Sequence, residues 1–584
     1  MKPRFCAALG LAAAAAASEF DWDAITPSHD LEYHDCYDNL HCARLLLPLD
    51  WLDEASNKTV ALALVKSDAV VGIDHAAYAG PVLSNPGGPG GSGVDHLRGA
   101  VAQLRDMVDT PGKKHFEFVS FDPRGVGRTT PRNARGSGGL NGGGPAALPY
   151  NLGLETIKGN RCEEFNGDLL RYVGTTSVAR DMLAVVEKID EYNAKHSKRG
   201  KKPERGSQMP LHSSSGAEKA KTGPPRLQYL GFSYGTVLGN YFASMFPERI
   251  GRVLLDGVAD IDDYGWLADT VDTDEMADLF FQGCFDAGRD ACPLHRSGDS
   301  SGADISQRFW DWVDGLDQAP LLATKKDQAV VLQSGDLRAL LLGAMYQPLT
   351  LFTEAASLVD AAMRGNTTAL YDLVAPIAGG SPDAACPPVG GNGTASADSS
   401  SPDAQRAVLC GDGQDVTGRD TAFWRAYVAK QLAQSWRARA KWQFRGPFTT
   451  PPPSDSNNDN DNENDNASAG PEPGRPAAPL LFLSNRLDPV TPLRAARKVA
   501  QMYPGTGLLV QDAMGHCVFG AHPPTDCTRR VVRRYFDEGV VPSEEATCEA
   551  VCKPWSKCAS AKRSVGALSS KGGRRRDWRF PLHV

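Results

Sequence analysis

Gly231-Phe232-Ser233-Tyr234-Gly235 sets a serine between two glycines. Taken alone the pattern says little, because the chain holds 59 Gly. Its surroundings say more. An apolar segment, Leu227–Leu230, runs straight into it, and a helix-like segment, Gly235–Phe246, follows and stops at Pro247. A strand that turns sharply into a helix exposes a serine hydroxyl at its tip, and the turn tolerates only small flanking residues. Ser233 would then stand at a helix N-terminus, where N–H groups stabilise negative charge. The chemistry open to such a serine is nucleophilic attack on a carbonyl. The plainer reading is an ordinary turn serine.

Acyl transfer also needs an oxyanion hole, a base and an acid that orients the base. The Gly-rich stretch Asn85-Pro86-Gly87-Gly88-Pro89-Gly90-Gly91-Ser92-Gly93 follows the apolar segment Gly80–Ser84. Its backbone can approach a substrate closely, and the N–H groups of Gly88 and Tyr234 are the expected donors. A phosphate-binding P-loop is excluded, since no Gly-Lys-Ser/Thr closes the stretch. Acid and base should follow the serine in the order Asp/Glu, His. Asp488 lies just beyond the apolar run Leu480–Leu483, between Leu487 and Pro489, and is the expected acid. Asp512 and Asp256 are its competitors. His516 follows the Gly507–Val510 segment by a short loop and is the expected base, with His522 as its rival. Asp122-Pro123-Arg124-Gly125 ends another apolar segment, and an Asp–Arg pair in that turn should brace the loop structurally rather than react.

The elements that must position these residues alternate. Leu45–Leu49 and Val60–Val65 read as an antiparallel entry pair. Gly80–Ser84, His115–Phe121, Arg226–Leu230, Ile250–Leu255, Leu480–Leu483 and Gly507–Val510 read as further strands. Thr176–Tyr192 shows helical spacing through Val178, Met182, Val185, Val186 and Ile189, with Ser177 as the expected N-cap. Strand–helix alternation of this kind implies an α/β fold with a mostly parallel sheet. Between Asp260 and Phe448 the strand pattern fades. Thr273–Phe285, Ile305–Leu316, Gly335–Met345, Leu349–Met363 and Asp420–Trp442 read as helices, so a helical cap inserted into the sheet domain is expected. Asn133–Pro149, Ala194–Pro225 and Pro451–Pro479 read as insertions. The Asp/Asn run Ser454–Asn466 cannot bury enough apolar surface to fold.

The chain has 584 residues, with 41% hydrophobic and 23% charged, and can build a large core. Its net charge of -8 argues against a general nucleic-acid binder. The basic runs Lys198–Arg205 and Arg574–Arg576 sit in Gly/Ser/Lys-rich stretches and read as solvated. Lys2 and Arg4 precede the apolar run Phe5–Ala17, which is too short to span a bilayer and right for a secretory leader cleaved near Ala17. No other segment is long and apolar enough to span, so no membrane span is expected. Of the 13 Cys, Cys6 falls in the leader, and the others suit an oxidising compartment. Close spacing pairs Cys36 with Cys42, Cys284 with Cys292, Cys386 with Cys410 and Cys517 with Cys527. Cys162, Cys548, Cys552 and Cys558 stay unassigned, and the last three lack a zinc-site spacing. Asn57, Asn366, Asn392 and Asn466 head Asn-x-Ser/Thr sequons. No metal or organic cofactor is indicated, and oligomeric state cannot be read. In outline, residues 1–17 form the leader, 18–259 and 480–560 the two parts of the sheet domain, 260–450 the cap, 451–479 an Asn/Asp/Pro-rich loop and 561–584 a basic tail.

Asn85–Gly93, Asp122–Thr129, Gly231–Thr236, Leu255-Asp256-Gly257-Val258, Arg486–Pro492 and Gly515-His516-Cys517 together resemble one family. It is the α/β-hydrolase serine peptidases related to prolyl aminopeptidase, within them the secreted tripeptidyl-aminopeptidase-like enzymes of actinobacteria and fungi. The resemblance implies a helical cap, a Ser233–His516–Asp488 triad and release of short peptides or residues from free N-termini. Such an exopeptidase needs a carboxylate for the substrate ammonium, and Asp274 and Glu275 in the cap are the candidates. An esterase or lipase on the same triad is the alternative, and a non-catalytic binding protein on the same fold is the second.

Overall fold

The computed structural model describes residues 20–37, 39–53, 55–130, 147–197, 223–264, 271–325, 328–378, 402–413, 415–434 and 475–556. The expected leader and basic tail, the Ser454–Asn466 run, Asn392, Asn466, Cys386 and Cys558 lie outside these residues, as does most of each expected insertion.

Ten strands form one sheet. In chain order they are β1 (His34–Cys36), β2 (Leu40–Pro48), β3 (Thr59–Ser67), β4 (Tyr78–Asn85), β5 (His115–Asp122), β6 (Leu227–Phe232) and β7 (Ile250–Asp256). A separate hairpin, β8 (Leu321–Lys325) and β9 (Gln328–Leu332), follows, and β10 (Leu480–Leu487), β11 (Gly507–Met514) and β12 (Ala546–Glu549) complete the sheet. The order is β1-β2-β3-β5-β4-β6-β7-β10-β11-β12. Pairing is antiparallel from β1 to β5 and parallel from β5 and β4 through to β12. The molecule is thus an α/β-hydrolase fold with a mostly parallel sheet, as the alternation implied.

Both faces of the central strands are covered, which is why they read as continuous apolar runs. In β10, Leu480 and Phe482 join one core with the helices Thr175–His196, Tyr234–Met245 and Leu493–Ala500. Leu481 and Leu483 point to the other face and meet the helices Gly93–Val108 and Asp526–Glu538. The five apolar positions named for the Thr175–His196 helix are all buried. Its N-cap is Gly174, not Ser177. The side chain of Asp412 accepts the Thr175 N–H at 2.7 Å, so the first turn is capped from another element and no local Ser is needed.

Helices dominate the insert between β7 and β10, led by Asp272–Ala287, Gly302–Gly315, Ser334–Tyr346 and Pro348–Met363. Met276, Phe280, Phe281, Phe309, Leu337 and Phe352 build a third core there, which Leu487 of β10 joins. The β8–β9 hairpin within the insert escaped the sequence pattern. Leu322 and Val331 pair across it and are both exposed, so no apolar/polar alternation marks it.

Cys36–Cys42 and Cys284–Cys292 are bonded as their spacing predicted. Cys527 is bonded to Cys548 rather than to Cys517. The Cys517 thiol is free and buried, and it points beneath the sheet edge toward the Asp256 carbonyl. Cys527 sits instead in the first turn of its helix, facing β12. Cys162 and Cys552 are also disulfide-bonded.

The Asp122–Arg124 turn braces the structure, but its two charges do not pair with each other. Asp122 accepts from Ser92 Oγ at 2.6 Å and from the N–H groups of Arg128 and Val94. Arg124 forms a fork on Asp181 at 2.6 and 2.7 Å and donates to the Leu49 and Pro48 carbonyls. Both ends of the Arg124–Asp181 pair are fully buried. Removing one partner of such a pair strands the other charge, at a cost of about 3–5 kcal/mol. Arg124→Met should therefore destabilise the fold by about that amount in equilibrium denaturant unfolding, whereas Arg124→Met with Asp181→Leu should recover part of the loss.

Candidate active site

Ser233 joins β6 to the Tyr234–Met245 helix at φ 54° and ψ -122°. Positive φ is costly for a residue with a Cβ. The surroundings enforce it. The Ser233 N–H donates to the Asp256 carbonyl at 3.0 Å, and the Ser233 carbonyl accepts from the Thr236 N–H at 2.8 Å and Thr236 Oγ1 at 2.6 Å. Gly231 and Gly235 cross so closely that a Cβ on Gly231 would collide with the Gly235 carbonyl. A Cβ on Gly235 would stand 2.8 Å from the Asn85 carbonyl oxygen.

The Asn85–Gly93 loop lies beside this elbow. Asn85 Oδ1 accepts the Gly87 N–H at 2.9 Å and turns the chain. At φ 91°, Gly87 runs so near that a Cβ there would stand 2.9 Å from both Ser233 Cβ and Tyr234 N. Among the described residues, the Gly88 and Tyr234 N–H groups have no acceptor. Tyr234 is the first helical residue, so its N–H has no intrahelical partner.

Asp488 lies beyond the end of β10 and His516 beyond the end of β11, and the parallel pairing of those strands brings them together. His516 Nδ1 is 3.0 Å from both carboxylate oxygens of Asp488. The remaining capacity of this buried carboxylate is filled by the N–H groups of Val490, Thr491 and Cys517 at 3.0, 2.9 and 3.1 Å. Burial works to raise the Asp488 carboxyl. The His516 charge and hydrogen bond and the N–H groups of Val490 and Thr491 outweigh it and hold the group below the usual carboxylate range. His516 Nε2 faces Cys517 Sγ at 3.6 Å. Ser233 Oγ and His516 Nε2 form no hydrogen bond among the described residues. The two segments share a support: the Asp256 carbonyl takes both the Ser233 N–H and, at 3.4 Å, the thiol of Cys517, the residue after His516.

The rival residues lie elsewhere. Asp512 is half-exposed and paired with Arg486 at 2.6 Å. His522 Nε2 meets the Met514 carbonyl at 2.7 Å, which ties down the loop. Asp274 and Glu275 stand in the first turn of the Asp272–Ala287 helix, which abuts the acid loop. Glu275 is exposed and 3.9 Å from Arg486, while Asp274 is half-buried. From that turn, Asp272 Oδ2 accepts the Asp488 N–H at 3.1 Å and Thr273 Oγ1 donates to the Pro489 carbonyl at 3.3 Å.

Four residues at the site escaped the sequence reading. The Tyr346 carbonyl accepts the His516 N–H at 3.0 Å and its ring packs edge-on at 4.8 Å. Gln405 Nε2 reaches the Gly88 carbonyl at 3.4 Å. Thr491 Oγ1 is 3.3 Å from His516 Nδ1, and Asp272 was hidden among its acidic neighbours. Only Thr491 carried a signal: Asp followed within three residues by Thr is a turn in which the carboxylate accepts the following N–H groups.

Residues 80–307 match the family described as alpha/beta hydrolase fold, and residues 432–548 the family described as TAP-like protein. The chain is a TAP-like α/β-hydrolase. It is 27% identical over 540 residues to the "Serine protease Hip1" of Mycobacterium tuberculosis strain H37Rv, covering 87% of each chain. To the "Tripeptidyl aminopeptidase" of Streptomyces coelicolor it is 24% identical over 562 residues, 93% of this chain and 88% of the relative. "Carboxylesterase B" of Mycobacterium tuberculosis is 32% identical over 151 residues, 24% of this chain and 27% of the relative. These relatives place the TAP-like hydrolase among serine hydrolases of peptidase type.

The lowered Asp488 carboxyl makes a pH prediction. A carboxyl whose folded value lies below its unfolded value contributes stability that is present above the unfolded value and is lost as pH falls through the folded one. Denaturant midpoints of the wild-type hydrolase should therefore fall more steeply than those of Asp488→Asn as the pH drops below about 4.

Proposed function

We propose that the TAP-like hydrolase is a secreted serine exopeptidase that releases short peptides or single residues from free N-termini. Ser233 attacks the scissile carbonyl, and His516 takes its proton and returns it to the leaving amine. Asp488 keeps His516 in the tautomer with Nδ1 protonated and stabilises the imidazolium that forms. The Gly88 and Tyr234 N–H groups receive the oxyanion.

The observation that carries this reading is the paired 3.0 Å contact of His516 Nδ1 with a fully buried Asp488. It stands beside an elbow serine whose neighbouring N–H groups are uncommitted. Hydrogen bonds of the attacking serine in such sites tighten in the substrate complex. The peptide substrate class is supported by the names of the two relatives that match along most of the chain, a serine protease and a tripeptidyl aminopeptidase. The disulfides among the described residues support an oxidising destination, and no helix there is long and apolar enough to cross a membrane. Asp274 and Glu275, on the cap helix that abuts the acid loop, are our candidates for the substrate ammonium. A carboxylic-ester hydrolase on the same triad is the second reading, favoured by the shorter match to a carboxylesterase.

Ser233→Ala should abolish labelling by a fluorophosphonate probe and all turnover. A variant that still labels and turns over refutes the triad. Asp488→Asn should lower kcat by about 10^3–10^4. Aminoacyl-, dipeptidyl- and tripeptidyl-amides should be cleaved, with kcat/KM falling when their N-terminus is acetylated. Turnover of p-nitrophenyl esters with none of any peptide amide would establish the esterase instead.

A further inference from the structure

Asp256 takes no part in the acyl-transfer scheme, yet it touches both halves of it. It ends β7 with a completely buried side chain. A carboxylate there is costly unless its oxygens are satisfied. One segment satisfies both: the Val518 N–H donates to Oδ1 at 2.7 Å and the Phe519 N–H to Oδ2 at 2.8 Å. These N–H groups open the short helix Val518–Ala521, directly beyond His516 and Cys517. They have no partner within the helix, and the carboxylate supplies one.

The chain enters that helix through Cys517 at φ 61°, a backbone conformation that persists only when both sides are pinned. On the N-terminal side, the Cys517 N–H is held by Asp488 and the His516 N–H by Tyr346. On the C-terminal side, the anchor is the Asp256 carboxylate. The carbonyl of Asp256 meanwhile receives the Ser233 N–H at 3.0 Å. Side chain and main chain of one residue thus seat the base loop and the nucleophile.

We propose that Asp256 is a positioning residue that sets the separation of Ser233 and His516, its carboxylate fixing the base loop and its carbonyl the serine. The proposal rests on the serine-hydrolase reading above. The ionisable groups facing the carboxylate are His516, which favours its charge, and Asp488 and the Cys517 thiol, which oppose it. Burial, with Asp488, raises the Asp256 carboxyl to about 7, against the Phe519 and Val518 N–H groups and His516. Protonation near neutrality sets an O–H against one of the two N–H groups and loosens the anchor. Protonation of Asp256 should therefore steepen the acid limb of log kcat near neutrality.

The test uses wild type, Asp256→Asn and Val518→Pro, each checked by circular dichroism and thermal melting. Proline fits the first turn of a helix, and there it deletes one donor to Asp256 while leaving the charge in place. Asp256→Asn should lower kcat about ten- to hundredfold, the scale expected for misplacement by about 1 Å, with KM within about threefold. Its acid limb should be shallower than that of wild type near neutrality, since the Asp256 carboxyl is gone. Val518→Pro should lower kcat in the same direction. A folded Asp256→Asn with kcat within about twofold of wild type, or with the acid slope unchanged, overturns the proposal. Should Asp256→Asn fail to fold, Val518→Pro decides, and undiminished kcat in that variant overturns it. Ser233→Ala separates the two readings. Labelling lost in Ser233→Ala with undiminished kcat in Asp256→Asn sinks the positioning role alone, whereas labelling retained in Ser233→Ala sinks the triad itself.

Discussion

A serine at φ 54° costs of order 1–3 kcal/mol and survives only where its surroundings leave no alternative. Here the alternatives are closed from three sides. The β7 carbonyl of Asp256 holds the Ser233 N–H, and Thr236 holds its carbonyl twice over. The close crossing of Gly231 and Gly235 admits no side chain. The constraint propagates outward. Because the elbow is fixed, the Tyr234 N–H faces out from the first turn of its helix, and the Asn85–Gly93 loop can lie within van der Waals distance of it. The register of β6 against β7, with Phe232 opposite Asp256, then determines which carbonyl Ser233 meets.

The same edge of the sheet carries three buried aspartates. Asp122 ends β5, Asp256 ends β7 and Asp488 lies just past β10. Each accepts at least one main-chain N–H from a loop distant in sequence, Val94 for Asp122, Val518 and Phe519 for Asp256 and Cys517 for Asp488, and so pegs that loop to a strand end. Their electrostatics differ for a simple reason. Burial raises Asp122 and Asp256, whose partners are mainly neutral dipoles, whereas Asp488 faces an imidazole and is held low. One kind of anchor thus acquires different ionisation behaviour according to the charge set opposite it.

Local turns were legible in the sequence, and distant pairing was not. The elbow, the Gly-rich loop and the short loops that carry Asp488 and His516 are each written in a few adjacent residues, and the apolar strands that carry them are unmistakable because both sheet faces are covered. Asp256 is different: its donors Val518 and Phe519 lie more than 250 positions away, so it could only be read as a weak competitor for the acid. Cys517 and Cys527 were paired on spacing alone, and the spacing could not show that the Cys517 side chain turns under the sheet. Ser177 had the residue type of an N-cap, but the N-cap is Gly174 and the first turn is capped by Asp412, a residue from another helix. The β8–β9 hairpin left no trace because its two exposed apolar residues break the alternation a strand normally shows.

The helical insert meets the site at a small number of points, and their character bears on how chemistry and specificity are divided. Asp272 accepts the Asp488 N–H, the Tyr346 carbonyl accepts the His516 N–H, and Gln405 donates to the Gly88 carbonyl. All three grip backbone groups. Tyr346 in addition packs its ring edge-on against the His516 imidazole at 4.8 Å. Through these contacts the insert holds the loops that carry Asp488, His516 and Gly88. A sheet edge built this way can keep one acyl-transfer apparatus while the insert varies in length and shape. On the proposed triad, such a division would leave the reaction to the sheet edge and specificity to the insert.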